Sequence, residues 1–142
     1  MGSFVKNIAD VLRHLSPSER RHFFTTAIIL AAGSGQRFGQ ENGPKQFFPI
    51  NSLPALVHTL RAFEASSLID EIVIVTKEQD IARCEAYVKD FGLKKVSKVL
   101  AGGSDRQESA KRGFDAVSGK AKFVAFHDGA RCLVTREMID ST

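Results

Sequence analysis

Cysteine is scarce. The two present in 142 residues, Cys84 and Cys132, stand far apart and form no Cys-x-x-Cys pair. That removes a disulfide framework and a zinc site and makes a reducing compartment the expectation. No apolar run reaches the length of a membrane span, so no membrane partner is expected. The first residues lack the uninterrupted apolar core of a secretory signal. The chain opens Met-Gly, but Lys6 stands where N-myristoylation asks for Ser or Thr. Aromatics interleaved with basic residues are also missing, which argues against a nucleic-acid partner. Lys and Arg number 20 against 16 Asp and Glu, a net charge of +4. That balance suits an anionic small molecule and alone decides nothing.

What is present fits one domain, with 43% hydrophobic residues to fill a core. Phe4, Val5, Ile8, Val11, Leu12 and Leu15 recur at helical spacing. "SPSE" then reads as a helix start, with Ser16 as cap, Pro17 in the first turn and Glu19 at the capping-box position. Residues 1–24 are thus expected to be a helical N-terminal extension. Asp10 and Glu19 argue against a transit peptide, which is poor in acids.

From Thr25 strands and helices alternate. "TTAIILAA", "EIVIVT" (71–76), "VSKVLAGG" and "KFVAFHDGAR" read as strands. Between them lie helical patterns over 54–65, with Leu56, Val57, Leu60 and Phe63 on one face, over 78–91, stopped by Gly92, and over "SDRQESAKRGFDAV". Another helix is predicted to start near Thr135. Strands without apolar alternation, each followed by a helix, predict a parallel sheet covered on both faces. Ligands of such sheets bind at the C-terminal strand ends. Three ends here carry chemistry: the glycine-rich loop after the first strand, "GGSDRQES" and "HDGAR".

The first loop, "LAAGSGQRFGQENGPKQF", is neither the ATPase loop nor the dinucleotide fingerprint. No Gly-Lys-Ser or Gly-Lys-Thr occurs, and Phe38 stands where the third glycine of G-x-G-x-x-G belongs. Gly33, Gly35, Gly39 and Gly43 bare the backbone, with Arg37 and Lys45 among and after them. Bare N–H groups approach phosphate closely, and two cations beside them offset charge building on a pentacoordinate phosphorus. The plainer reading is a surface loop with two solvated cations.

Together the loop, "AGGSDRQESAKRGF" and "VAFHDGAR" resemble three ordered motifs of the 2-C-methyl-D-erythritol 4-phosphate cytidylyltransferases, with the ribitol-5-phosphate cytidylyltransferases close behind. The resemblance runs from about Thr25 to the end of the chain. It implies an α/β, three-layer Rossmann-like nucleotidyltransferase fold with a mostly parallel sheet, residues 25–142 forming its nucleotide-binding part. It also implies that Ala31, Ala32, Gly33, Ser34 and Gly35 wrap CTP, and that Arg37 and Lys45 stabilise the transition state. Gly103, Ser104 and Ser109 would lie along base and ribose, Asp128 would bind Mg2+, and Arg131 closes the same motif. The partners implied are CTP, a polyol phosphate and a second copy of the chain in a homodimer, in the cytoplasm or a plastid-like organelle. Quieter readings stand beside these: Asp128 capping its own turn, Ser109 bonding back to its helix, His127 facing the core.

The sequence departs from the family pattern at Gly129, where Ala is usual, and at Ser104, where an acid is common. Members of the family continue well past the position of Thr142, through a dimerisation arm, late basic residues and a second aspartate. The sheet is therefore expected to be incomplete on its C-terminal side and the chain to self-associate.

Overall fold

The computed structural model describes residues 14, 16–20, 23–33 and 43–140. In chain order they form α1 (Pro17–Arg20), β1 (Thr25–Ala31), a 3-10 turn (Lys45–Phe47), the strands β2 (Pro49–Ile50) and β3 (Leu53–Pro54), α2 (Ala55–Ala65) and β4 (Glu71–Thr76). A second 3-10 turn (Glu78–Asp80), α3 (Ile81–Asp90), β5 (Val96–Ala101), α4 (Arg106–Asp115), β6 (Phe123–Asp128) and α5 (Arg136–Asp140) follow. The helical spacing of residues 4–15 lies, His14 apart, outside the described residues. The capping box at the start of α1 forms as its residues dictate. Glu19 N donates to Ser16 Oγ at 3.3 Å, and Ser16 N donates to Glu19 Oε2 at 2.7 Å.

β1, β4, β5 and β6 make one parallel sheet in the order β5–β4–β1–β6. All seven residues of β1 are buried, and each face of the strand has its own helical cover. Ala27, Ile29 and Ala31 join Leu56, Leu60 and Phe63 of α2 and Cys84 of α3. Ile28 and Leu30 join Val73, Val75 and Val124, with Ala110 and Phe114 of α4 against them. Two covered faces explain why the strand reads as an unbroken apolar run. α4 lies close to the sheet because Gly113 has no side chain. A Cβ there would stand 2.6 Å from Ile28 Cγ2 and 2.9 Å from Val75 Cγ2.

The sequence reading missed one element and displaced several boundaries. β2 and β3 pair as an antiparallel hairpin, turned by Asn51 (φ 49) and Ser52 (φ 71), both left-handed. Two-residue strands are too short to show alternation. Pro54 ends β3, so α2 begins at Ala55. Residues 78–80 are a 3-10 turn before α3. At the far end of α3, Gly92 (φ 61) closes a Schellman pair, Leu93 N to Val88 O at 3.0 Å and Gly92 N to Lys89 O at 3.4 Å. Both cysteines are free. Burial, partly offset by a hydrogen bond with Thr76, pushes the Cys84 thiol up to about 11.

The N-terminal edge of the sheet is held by one buried carboxylate. Glu71 accepts from Thr26 Oγ1 at 2.7 Å, Ser97 Oγ at 2.6 Å and Ser118 N at 3.1 Å, joining β1, β5 and the α4–β6 connection. Burial alone would push its pKa up. The hydrogen bonds from Ser97, Thr26 and Ser118 and the charge of Lys98 outweigh this and hold it below the ordinary value.

Two stability predictions follow from these contacts. Glu71→Gln is expected to cost about 1–3 kcal/mol at neutral pH, because it leaves buried donors poorly matched. The depressed folded pKa means this stabilisation is complete above the ordinary Glu value of about 4.3 and fades as pH falls through the folded value. Urea midpoints of wild type and variant should therefore converge as pH is lowered below the ordinary Glu range; a gap that stays constant would rule out the carboxylate as its source. Gly113→Ala should lower stability by about 1–3 kcal/mol through overpacking, read as a drop in melting temperature.

Candidate functional site

Parallel strands put four C-terminal ends on one edge, and a cleft of about 510 Å³ opens there. Its wall takes Ala32 and Gly33 from beyond β1, Lys45 and Gln46 from the first 3-10 turn, and Lys77 from beyond β4. Gly103, Ser104, Asp105, Arg106 and Ser109 come from the start of α4 and the loop before it, and Asp128 and Ala130 from the end of β6.

Backbone carbonyls at the end of β1 anchor the glycine loop. Gln46, only 4% exposed, donates through Nε2 to Ala31 O at 2.8 Å and to Gly33 O at 3.1 Å. Thr76 Oγ1 also donates to Ala31 O, at 3.0 Å, while Thr76 O accepts from Gly102 N at 2.7 Å. Thr76 therefore ties the first loop to the loop after β5. That second loop folds onto its own helix: Gly103 N donates to Ser109 Oγ at 3.0 Å. Its close packing needs glycine at two successive positions, since a Cβ on Gly102 would collide with Ser109 Oγ and one on Gly103 with Glu108. Asp105 caps α4, accepting from Glu108 N at 2.8 Å. Glu108 accepts from Ser104 N, Ser104 Oγ and Arg112 Nη2, which hold its carboxyl below the usual range.

At the end of β6, Asp128 Oδ1 accepts from Ala130 N at 2.9 Å. The turn-capping reading is correct for that oxygen. The other carboxylate oxygen has no hydrogen-bond partner among the described residues, and Asp128 lines the cleft. His127 faces inward, its ring 5.0 Å from that of Phe63. Its Nε2–H donates to Arg131 O at 3.2 Å. Burial is the largest influence on its pKa and pushes it down, so His127 stays neutral at neutral pH. His58, for which the sequence suggested no partner, has Nε2 2.6 Å from Ile50 O and braces the hairpin.

The structure thus brings Ala32, Gly33, Lys45, Gly103, Ser104, Ser109 and Asp128 to one cleft. Two expected CTP-binding residues are not on its wall. Ala31 is 1% exposed and its carbonyl is occupied by Gln46 and Thr76. Arg131 is exposed beyond the rim, its backbone engaged by Asp128 O and His127. Ser34, Gly35 and Arg37 lie outside the described residues. Sequence reasoning assigned no role to Gln46, Lys77, Asp105 or Arg106. Gln46 and Arg106 lay inside the quoted motifs, and Lys77 directly follows a predicted strand, where ligands of parallel sheets bind.

Lys45, Lys77 and Arg106 make no ion pair with a described residue, and they outnumber the two carboxylates of the wall, Asp105 and Asp128. The cleft is therefore suited to an anion. The described residues contain no cluster of three His, Cys, Asp or Glu side chains. Asp128, a cleft carboxylate with one oxygen free of described partners, fits magnesium, which keeps several waters and takes one or two carboxylates plus substrate phosphates.

A parallel sheet with helices on both faces and a cation-lined cleft along its C-terminal edge defines an α/β protein of the open-sheet kind. The chain belongs to the IspD family, 2-C-methyl-D-erythritol 4-phosphate cytidylyltransferase, whose profile matches residues 25–142. It is 42% identical over 115 residues to the 2-C-methyl-D-erythritol 4-phosphate cytidylyltransferase of Alkaliphilus metalliredigens, covering 80% of this chain and 47% of that protein. The enzyme of the same name from Clostridium botulinum strain Langeland is 41% identical over 116 residues, covering 82% and 50%. The chain thus spans about half the length of these curated relatives. The crystal structure of 4-diphosphocytidyl-2C-methyl-D-erythritol synthase from Anaerococcus prevotii superposes with a TM-score of 0.74 at 26% identity, covering 89% of this chain and 52% of that one.

Gln46→Leu keeps the volume but withdraws two donated hydrogen bonds. It should cost about 1–3 kcal/mol by leaving Gly33 O without its side-chain partner. Urea denaturation measures this; an unchanged midpoint would mean that the tether does not hold the loop.

Proposed function

We propose that the cleft binds CTP with magnesium and serves cytidylyl transfer to a polyol phosphate, with 2-C-methyl-D-erythritol 4-phosphate the first acceptor to test and ribitol 5-phosphate the second. The observation that carries this reading is the meeting of Gly33, Lys45 and Asp128 in one cation-lined cleft. In the reaction an oxygen of the acceptor phosphate attacks the α-phosphorus of CTP. A new P–O bond forms in line as the α–β bridging bond breaks, and pyrophosphate leaves with the electron pair. No covalent enzyme intermediate is required, so a nucleophile–base pair is not needed.

Backbone N–H groups of the glycine loop receive phosphate oxygens at close range because no Cβ intervenes. Lys45, with Arg37 by its place in the motif, offsets charge on the pentacoordinate phosphorus and on the leaving pyrophosphate. Asp128 would hold the magnesium ion, which when bound neutralises and orients phosphate oxygens. Ser104 stands where an acid is common, and its hydroxyl is engaged by Glu108. An acid's charge is thus absent at position 104 itself, while the Glu108 carboxylate is bonded to it.

The reading extends to a homodimer in the cytoplasm. Support for self-association is the exposure of Leu133 (87%) and Met138 (58%) beyond β6, at one end of the sheet. Among the described residues no helix is long and apolar enough to cross a membrane.

Calorimetric titration of CTP with magnesium into the purified chain tests the proposal. Saturable heat is expected, weakened about tenfold or more in Lys45→Ala, Arg37→Ala and Asp128→Ala. Pyrophosphate release with each of the two acceptors then reads turnover. A folded wild type that gives no heat would overturn the nucleotide site.

A further inference from the structure

Lys77 is the cation of the cleft that neither the motifs nor the proposed chemistry employ. It follows Thr76, the best-anchored residue of the edge. Thr76 is fully buried, pairs with Ala31 on one side and Ala101 on the other, and is bonded to both loops. Lys77 is half-buried and lines the cleft, yet its ammonium has no hydrogen bond or ion pair with a described residue. Other lysines of this sheet are engaged: Lys95 Nζ donates to Ser66 O at 2.6 Å and Lys98 Nζ to Ala116 O at 2.7 Å. An ammonium that lines a cleft without a protein partner has its donors open to water or a ligand.

Its place along the edge points to the part of the ligand it meets. Asp128 stands on the β6 side of β1, opposite Leu30 in register. Lys45 precedes Gln46, which is bonded to the glycine loop. Asp128 and Lys45, the groups given to metal and phosphate, thus stand beside β1. Lys77 stands on the β4–β5 side, directly after the Thr76 carbonyl that accepts from Gly102 N, and so beside the loop that carries Gly103 and leads through Asp105 and Arg106 to Ser109.

We propose that Lys77 is a nucleoside-binding residue, its ammonium donating to an acceptor atom of the base or ribose held against Gly103 and Ser109. This rests on the reading of the cleft as a CTP site. An ammonium only donates, and cytosine presents O2 and N3 as adjacent acceptors.

The test titrates CTP and inorganic triphosphate, each with magnesium, into the wild type, Lys77→Met and Lys77→Arg. Thermal melts establish that each variant is folded. Lys77→Met should weaken CTP about tenfold or more while leaving triphosphate within about twofold, and Lys77→Arg should recover most of the loss. Equal loss for both ligands would make Lys77 a general phosphate cation and overturn the inference. An unchanged CTP affinity in Lys77→Met would overturn it as well. A wild type that fails to bind CTP would overturn the functional reading itself, an outcome read before any variant is compared.

Discussion

β1 lies between β4 and β6 and is covered by α2 on one face and α4 on the other, so its own backbone and side chains are wholly committed to the core. A strand in that position can reach ligand only past its C-terminal end. Parallel pairing then sends the ends of its neighbours to the same edge, and every connection back to the opposite edge needs a helix. Sequence-distant segments, 31–33, 45–46, 77, 103–109 and 128–130, become neighbours as a result of that one packing requirement. The chemistry at the cleft needed no arrangement of its own beyond loop residues placed after well-buried strands.

Division of labour between the two sheet edges follows from the same geometry. Glu71 gathers hydroxyl and amide donors at the N-terminal edge, away from the cleft. At the other edge Thr76 and Gln46 engage carbonyls of the loop connections and leave Lys45, Lys77 and Asp128 facing the cleft. Each such hydrogen bond contributes only about 0.5–1.5 kcal/mol net. Their main effect is to fix geometry: a loop pinned at two carbonyls binds anions with less ordering still to be done.

Much of this was legible in the sequence, and for a physical reason. β-branched runs such as "EIVIVT" are buried on both faces, so composition alone identifies them, and Leu56, Val57, Leu60 and Phe63 mark one helix face by spacing. Glycines at the strand ends marked the loops, but not that Gly102 and Gly103 make room for Ser109 and Glu108. What could not be read was pairing across distance. Nothing local in "GPKQF" says that the Gln46 amide reaches two carbonyls thirteen and fifteen residues earlier. Nothing local separates a cation that lines a cleft, such as Lys77, from a solvated one. The hairpin escaped notice because Asn51 and Ser52 supply the turn without the glycine that usually signals it.

The two thiols carry a further consequence. Cys84 is fully buried, its pKa is raised, and it touches the same Thr76 that anchors both loops of the cleft. Only a thiolate reacts with an alkylating reagent, so modification of Cys84 has to wait for α3 to part from the sheet. Cys132, half-buried on the loop after β6, has no such wait. The chain therefore carries a slow clock and a fast one in the same molecule. The slow one keeps time for transient opening at the residue on which the cleft is hung, without any introduced label site.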